Sequence, residues 1–313
     1  TSHPDLFSTG DDKDSVWFSS DAGGQTTLYH EGVVFDSTNA IFYVKVDLSS
    51  TADTTIYFWY GTPSITGTES KTNVWTNGVL VLHFEDSLAN SISGGATPTW
   101  VSEKNYATGI VNKSVQTGGA IGKFIDTNER DAFASGNTVT ILAWFKRNLA
   151  TSRDWAMVKP YTSHASPYYQ FYAKVGGDWG PSVWRSDTYN THLHENTTCS
   201  YTASDWNFFH TTFKTGANDY ISKSVNGGTI YTQETSIGSY TNHATDLYIG
   251  GNPNLKGPDY QFNGYTDEFW LFSDAKSADF IKAVYNNTAN YSTFISIDGA
   301  VSIGSSPIQV YPV

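Results

Sequence analysis

The stretch Phe262 to Asn287, FNGYTDEFWLFSDAKSADFIKAVYNN, constrains the fold more than any other part of the chain. It predicts a strand running directly into a short helix. Strict alternation puts Tyr265, Asp267, Phe269 and Leu271 on one face of the strand, with Glu268, Trp270 and Phe272 on the other. An acidic pair thus sits inside an aromatic strand, which is costly unless the carboxylates are paired, solvated or bound to a metal. Ser277 offers an N-cap, Asp279 lies in the first turn, and Phe280, Ile281, Val284 and Tyr285 recur at helical spacing. No other segment shows so clear a helix signal.

The rest of the chain is built from short extended segments. Aromatic residues make up 15% and charged residues also only 15%, while Thr, Ser, Asn and Gly fill most of the remainder. Such a mixture suits pleated surfaces and turns, and lacks the usual helix formers. The expected fold class is all-β, and 313 residues suffice for two modules with cores of their own. A net charge of −12 argues against nucleic acid, because phosphate binding needs a basic surface. With Cys199 as the only cysteine, no intrachain disulfide can form, which points to a prokaryotic, archaeal or viral exterior. No apolar run is long enough to span a bilayer. The polar opening at Thr1 is expected to result from processing or excision.

Residues 1–77 read as a small β-sandwich module. Val16 to Ser19, Leu28 to Phe35, Ala40 to Val46 and Thr55 to Tyr60 are strand candidates, and the last, aromatic on both faces, is expected to be central. Ser19 to Thr26 is similar to a sialidase Asp-box, but occurs once, has its Thr one place late and reads as a turn. The segments GDDKDSVWFSSD, IFYVKVDL and TTIYFWYGTPS resemble, in order, a domain family of unknown function that often precedes LamG-like domains. Thr62 stands where that family has Asn, and its first strands are absent here. A sandwich without its first strand exposes unpaired backbone, so a filler is expected. The extended tail, 294–313, offers one in Ala300 to Val313, from the same chain or a neighbour.

Residues 78–293 show the strand spacing of a large sandwich. LHFEDSLANSISG (82–94), YATGIVNKSVQTGGA (106–120), VTILAWFKR (139–147), DWNFFHTTFKTGANDYISKSVNGG (205–228) and GYTDEFWLFSDAKSADFIKAVYNN (264–287) resemble, in that order, the LamG-like jelly rolls of concanavalin A-like architecture. The resemblance implies a jelly roll ending in one short C-terminal helix. It also implies a structural Ca²⁺, for which Asp86, Asn90 and Asp267 are candidates, since the first and last strands usually lie side by side in this fold. Asp267 is equally readable as a buried carboxylate holding loop amides.

Catalysis is disfavoured. Glycosidases of this architecture place acidic residues alternately along one strand, and no strand here has that pattern. Adjacent Asp267 and Glu268 are expected on opposite faces. His192-Leu193-His194 has i, i+2 spacing in a polar stretch, unlike a zinc protease helix. Binding is favoured instead. Trp155 to Trp206 is dense in Trp and Tyr among polar residues, and sugar rings stack on exposed aromatics. Trp179, Trp184, Arg185 and Tyr189 are the ligand-binding candidates. The expected protein is extracellular or on a cell or virion surface, non-enzymatic, and binds glycans or a surface protein in adhesion. The alternative is a structural subunit of a filament, sheath or virion fibre, assembled through residues 300–313. A polysaccharide-acting enzyme ranks third.

Overall fold

A computed structural model describes residues 16–36, 39–60, 69–101, 103–118, 123–133, 138–148, 153–160, 167–174, 178–184, 192–194, 199–202, 204–214, 219–234, 245–253, 261–296 and 308–312. The chain forms two compact units, residues 1–76 with 283–313, and residues 77–282. It is all-β, with short helices only.

In the first unit the strands are β1 (Trp17–Ser19), β2 (Thr27–Leu28), β3 (His30–Phe35), β4 (Ala40–Val44) and β5 (Tyr57–Trp59), followed by the one-turn helix α1 (Lys71–Val74). β1 pairs antiparallel with both β2 and β5. Val16, Phe18, Ala40, Phe42 and Val44 form the core, with Leu28, Phe35, Ile56, Phe58 and Tyr60 packed against it. Among the described residues β5 ends its sheet, although its aromatic content predicts a central strand. Phe58 reaches the core, whereas Tyr57 and Trp59 lie on the other face with Ser19 and Trp17.

The second unit contains β6 (Gly78–Leu82), β7 (Thr99–Trp100), β8 (Tyr106–Thr108), β9 (Lys113–Thr117), β10 (Ile125–Asp126), β11 (Thr138–Arg147), β12 (Arg153–Pro160), β13 (Pro167–Lys174), β14 (Asp178–Trp184), β15 (His192–His194), β16 (Asn207–Lys214), β17 (Tyr220–Val225), β18 (Tyr231–Glu234), β19 (Tyr248–Ile249) and β20 (Gly264–Phe272). They form a jelly-roll sandwich. One sheet has the order β15-β14-β13-β12-β19-β10-β7, the other β18-β17-β16-β11-β20-β9-β8 with β6 also paired to β20. Leu80, Leu82, Ile125, Ile141, Phe145, Met157, Phe209, Ile249, Phe269 and Leu271 are among the residues filling the space between the sheets. Alternation along the central strands supplies one apolar side to this core.

Helix α2 (Ala278–Ala289) follows β20. Phe280 N–H donates to Ser277 Oγ at 3.1 Å, the cap the sequence predicts, and Ile281 and Val284 are buried. After α3 (Tyr291–Phe294) the chain ends in β21 (Ile308–Pro312). β21 runs parallel to β4 of the same chain, Ile308 opposite Ala40 and Pro312 opposite Val44.

Candidate functional site

On the side of β20 away from β11, two strands share the available edge. β9 pairs with Gly264 to Thr266, and β6 pairs with Phe269 to Phe272. Asp267 and Glu268 fall at the junction, where neither strand supplies a partner. There the register between β20 and β11 also slips, between Leu142 and Trp144. Glu268 adopts a left-handed backbone, φ 49°. This is a β-bulge, which re-aims side chains that strict alternation would separate.

The bulge corrects the expectation that adjacent carboxylates must part. Asp267 Oδ2 accepts N–H donors from Ile110 at 2.8 Å and Val111 at 2.9 Å, while its Oδ1 accepts Glu268 N–H at 2.9 Å. Glu268 Oε2 accepts Trp270 Nε1–H at 2.9 Å and lies 2.7 Å from His83 Nδ1. Glu85, just beyond β6, accepts Lys113 N–H at 3.1 Å and Asn112 Nδ2–H at 2.5 Å. Three carboxylates and a histidine therefore tie the ends of β6 and β9 to β20. Gly109 is required beside them, because a Cβ there would lie 2.3 Å from both Asp267 Oδ2 and the Lys113 carbonyl oxygen.

The electrostatics follow from that crowding. Burial raises Asp267 well above the usual carboxylate range, and repulsion from Glu268 and Glu85 adds to the rise against the Val111 and Ile110 amides. Burial pushes Glu85 up to about 7, assisted by Glu268 and opposed by the Lys113 amide, Asn112 and His83. Asp267 and Glu268 are almost wholly buried, at 0% and 2% exposure. Their hydrogen bonds hold backbone and neighbouring side chains, a structural employment for the pair.

Of the three cation candidates, Asp267 is the carboxylate that holds loop amides. Asn90 is likewise engaged, its Oδ1 accepting Val81 and Ile92 N–H, each at 3.0 Å, and its Nδ2–H donating to Ala96 O. Those amide hydrogens occupy acceptor positions that a cation needs. Asp86 is exposed, 3.9 Å from Lys113 Nζ. Among the described residues, no group of three or more His, Cys, Asp or Glu side chains is placed to hold a metal ion.

The ligand candidates lie toward one edge of the other sheet. Met157, a core residue, pairs with Phe171, which pairs with Pro181. Trp179 lies two residues away on β14, opposite Ala173, and Trp184 is the last residue of that strand. Trp184 is also opposite His192 of the edge strand β15. Arg185 and Tyr189 lie outside the described residues. Farther along this sheet, Arg130 forms a two-pronged ion pair with Asp246, and buried Lys159 donates to the Arg130 carbonyl at 2.9 Å and to that of Thr245. Burial lowers Lys159 to about 8.

His83 and Glu85 were not singled out by sequence reasoning, although a signal exists. His83 follows Val81 at strand spacing, and Val81 is opposite Trp270. That relation places His83 on Glu268's side of the sheet.

The sequence profile of the concanavalin A-like lectin/glucanases superfamily matches residues 118–282. A search of curated protein sequences returned no match. Among solved structures, the chain is similar to domain 4 of AbnA, a GH43 extracellular arabinanase from Geobacillus stearothermophilus, in complex with arabinotriose. That match has 16% identity and a TM-score of 0.51, covering 66% of this chain and 97% of that one. The botulinum neurotoxin type G receptor binding domain matches at 12% identity and TM-score 0.51, covering 67% of this chain and 51% of that one. A botulinum neurotoxin type C structure, described for cell entry dependent on two ganglioside molecules, matches at 14% identity and TM-score 0.52, covering 70% and 53%. The matched region is thus about half of each toxin chain, and at these identities the likeness establishes the fold.

Proposed function

Because the chain belongs to the concanavalin A-like lectin/glucanases superfamily, we propose that residues 78–293 are a non-catalytic glycan-binding jelly roll in an extracellular adhesion protein. The observation that carries this reading is the employment of the acidic pair of β20. Asp267 holds three backbone amides and Glu268 holds Trp270 and His83, so both are parts of the frame. A glycosidase instead presents two carboxylates to its substrate. The fold shared with a domain solved with arabinotriose, and with toxin receptor-binding domains, supports glycan or surface-protein partners. Among the described residues no helix is long and apolar enough to cross a membrane.

The binding reading is tested on a glycan array, with Trp184→Ala and Trp179→Ala made separately. Loss of a specific signal in Trp184→Ala, with the fold intact, supports it; no signal from the wild-type chain removes it. Residues 1–77 remain proposed as the small domain of unknown function that accompanies such jelly rolls, with 294–313 as a complementing tail. The Ca²⁺ implied by the resemblance is tested by chelation. Thermal stability lost in EDTA and restored by Ca²⁺ supports a bound ion, its assignment to Asp86, Asn90 or Asp267 then resting on Ala variants at each, and an unchanged midpoint removes it.

The second reading is a surface-filament subunit. β21 lies in a five-residue parallel ladder on β4, and a neighbour's tail could make the same ladder. Assembly that disappears when residues 300–313 are deleted, without any glycan signal, would favour this reading over the first.

A further inference from the structure

The first unit contains a connected set of side chains that jelly-roll binding leaves unused. β1 and β5 pair so that Trp17 is opposite Trp59 and Ser19 opposite Tyr57. Phe18 and Phe58, between them, enter or border the core. Trp17, Ser19, Tyr57 and Trp59 therefore share the other face. The two indoles are stacked, with ring centroids 4.9 Å apart and planes 9° from parallel.

The stack is backed and oriented. Gly24, at φ 71°, lies so close that a Cβ would fall 2.4 Å from Trp17 Cη2. Its loop is fixed by Asp21, which accepts N–H donors from Gly23 at 2.9 Å, Gln25 at 3.1 Å and Thr26 at 2.5 Å. The Gln25 amide is the largest influence holding the Asp21 carboxyl below its ordinary range. Trp59 Nε1–H donates to Ser19 Oγ at 2.8 Å, and Ser19 Oγ–H donates to the Asp21 carbonyl at 2.8 Å. A continuous relay thus runs from the turn to the Trp59 ring. Trp17 is 7% exposed, and its indole N–H is buried without a hydrogen-bond partner among the described residues. Trp59 is half-buried, and Tyr57 is 36% exposed.

We propose that this face of the first unit is a second saccharide-binding site, with Trp59 as the stacking platform and Tyr57 at its rim. An indole whose orientation is fixed before binding loses little freedom when a ligand arrives. A flat ring suits the C–H face of a pyranose. The Asp21 carboxylate is consumed by amides, and the chain's net charge of −12 repels anions, so the ligand class is a neutral saccharide. The site is independent of the one proposed on the jelly roll.

Isothermal titration of the full chain with cellohexaose, xylohexaose, mannohexaose and arabinotriose tests the proposal. Trp59→Ala should weaken binding of one of them at least about tenfold, and Tyr57→Ala about threefold. Both effects should persist in a Trp184→Ala background, which separates this site from the jelly roll's. Trp59→Phe keeps a ring and should stay within about threefold of wild type. If Trp59→Ala fails to fold by circular dichroism, Tyr57→Ala carries the test. Folded Trp59→Ala and Tyr57→Ala variants that bind like wild type overturn the proposal. So does a wild-type chain that binds decaproline and none of the saccharides.

Discussion

The acidic junction of the jelly roll and the Trp17–Trp59 face of the first unit are built on opposite plans. The junction gathers costly groups, three carboxylates and a histidine, and holds them with protein donors. The aromatic face leaves an oriented ring half-open. Burying a charged group is tolerated only when its partners are built in, so the junction is committed to the fold. The half-buried Trp59 ring is held by a hydroxyl and packed against Trp17 on one side. Buried, mutually paired ionisable groups thus mark the part that builds the frame, while a cross-strand indole pair marks the part proposed to meet a ligand.

Substitutions should separate the two regions by what they change. The largest effect is expected for Asp267→Ala, which leaves the Ile110, Val111 and Glu268 amides without their acceptor. A loss of about 4 kcal/mol in urea-unfolding stability is predicted. Asp267→Asn, which keeps an acceptor oxygen, should lose no more than half of that.

The pH dependence of stability comes next. Glu85 titrates near 7 in the folded chain, above its ordinary 4.5. A raised carboxyl binds more protons when folded, so its contribution is present below about pH 4.5 and lost as pH rises through 7. Unfolding in urea should show a decline from pH 5 to pH 8 of roughly 1–2 kcal/mol, allowing for solvent screening, that is absent in Glu85→Gln. His210 works in the other direction. Burial lowers it to about 3, so stability falls as pH drops below 6.5, and His210→Gln should flatten that acid limb.

Ser19→Ala, which breaks the relay to Trp59, should cost about 1 kcal/mol. Tyr57→Ala should move unfolding stability by less than about 0.5 kcal/mol while still weakening saccharide binding. A binding loss without a stability loss there, and the reverse at Asp267, would sharpen the contrast. Equal behaviour at the two places would break it.

Local chemistry made much of this legible. The β20–α2 passage, its Ser277 cap and its apolar face are encoded within a few residues, as are the turn at Asp21 and the alternation of the core strands. The geometry at Asp267 and Glu268 was not. Alternation assumes an unbroken ladder, and the bulge arises where β9 and β6, far apart in sequence, meet on one edge of β20. The sequence revealed that the acidic pair needed partners, but those partners come from residues 83–85 and 110–113. The edge position of β5 was hidden similarly, because aromatic residues on both faces look the same whether the second face meets a core or a neighbouring indole. For the ligand candidates, the sequence placed Trp179 and Trp184 in one aromatic stretch, and only the pairing showed Trp184 opposite the edge strand β15.

Incubation of the wild-type chain with a panel of insoluble polysaccharides, measuring retained protein and released reducing ends together, tests the central claim most directly. Retention on at least one polysaccharide with no release of reducing ends is predicted. Release of reducing ends that is lost in Glu268→Gln, or no retention on any member of the panel, would contradict it.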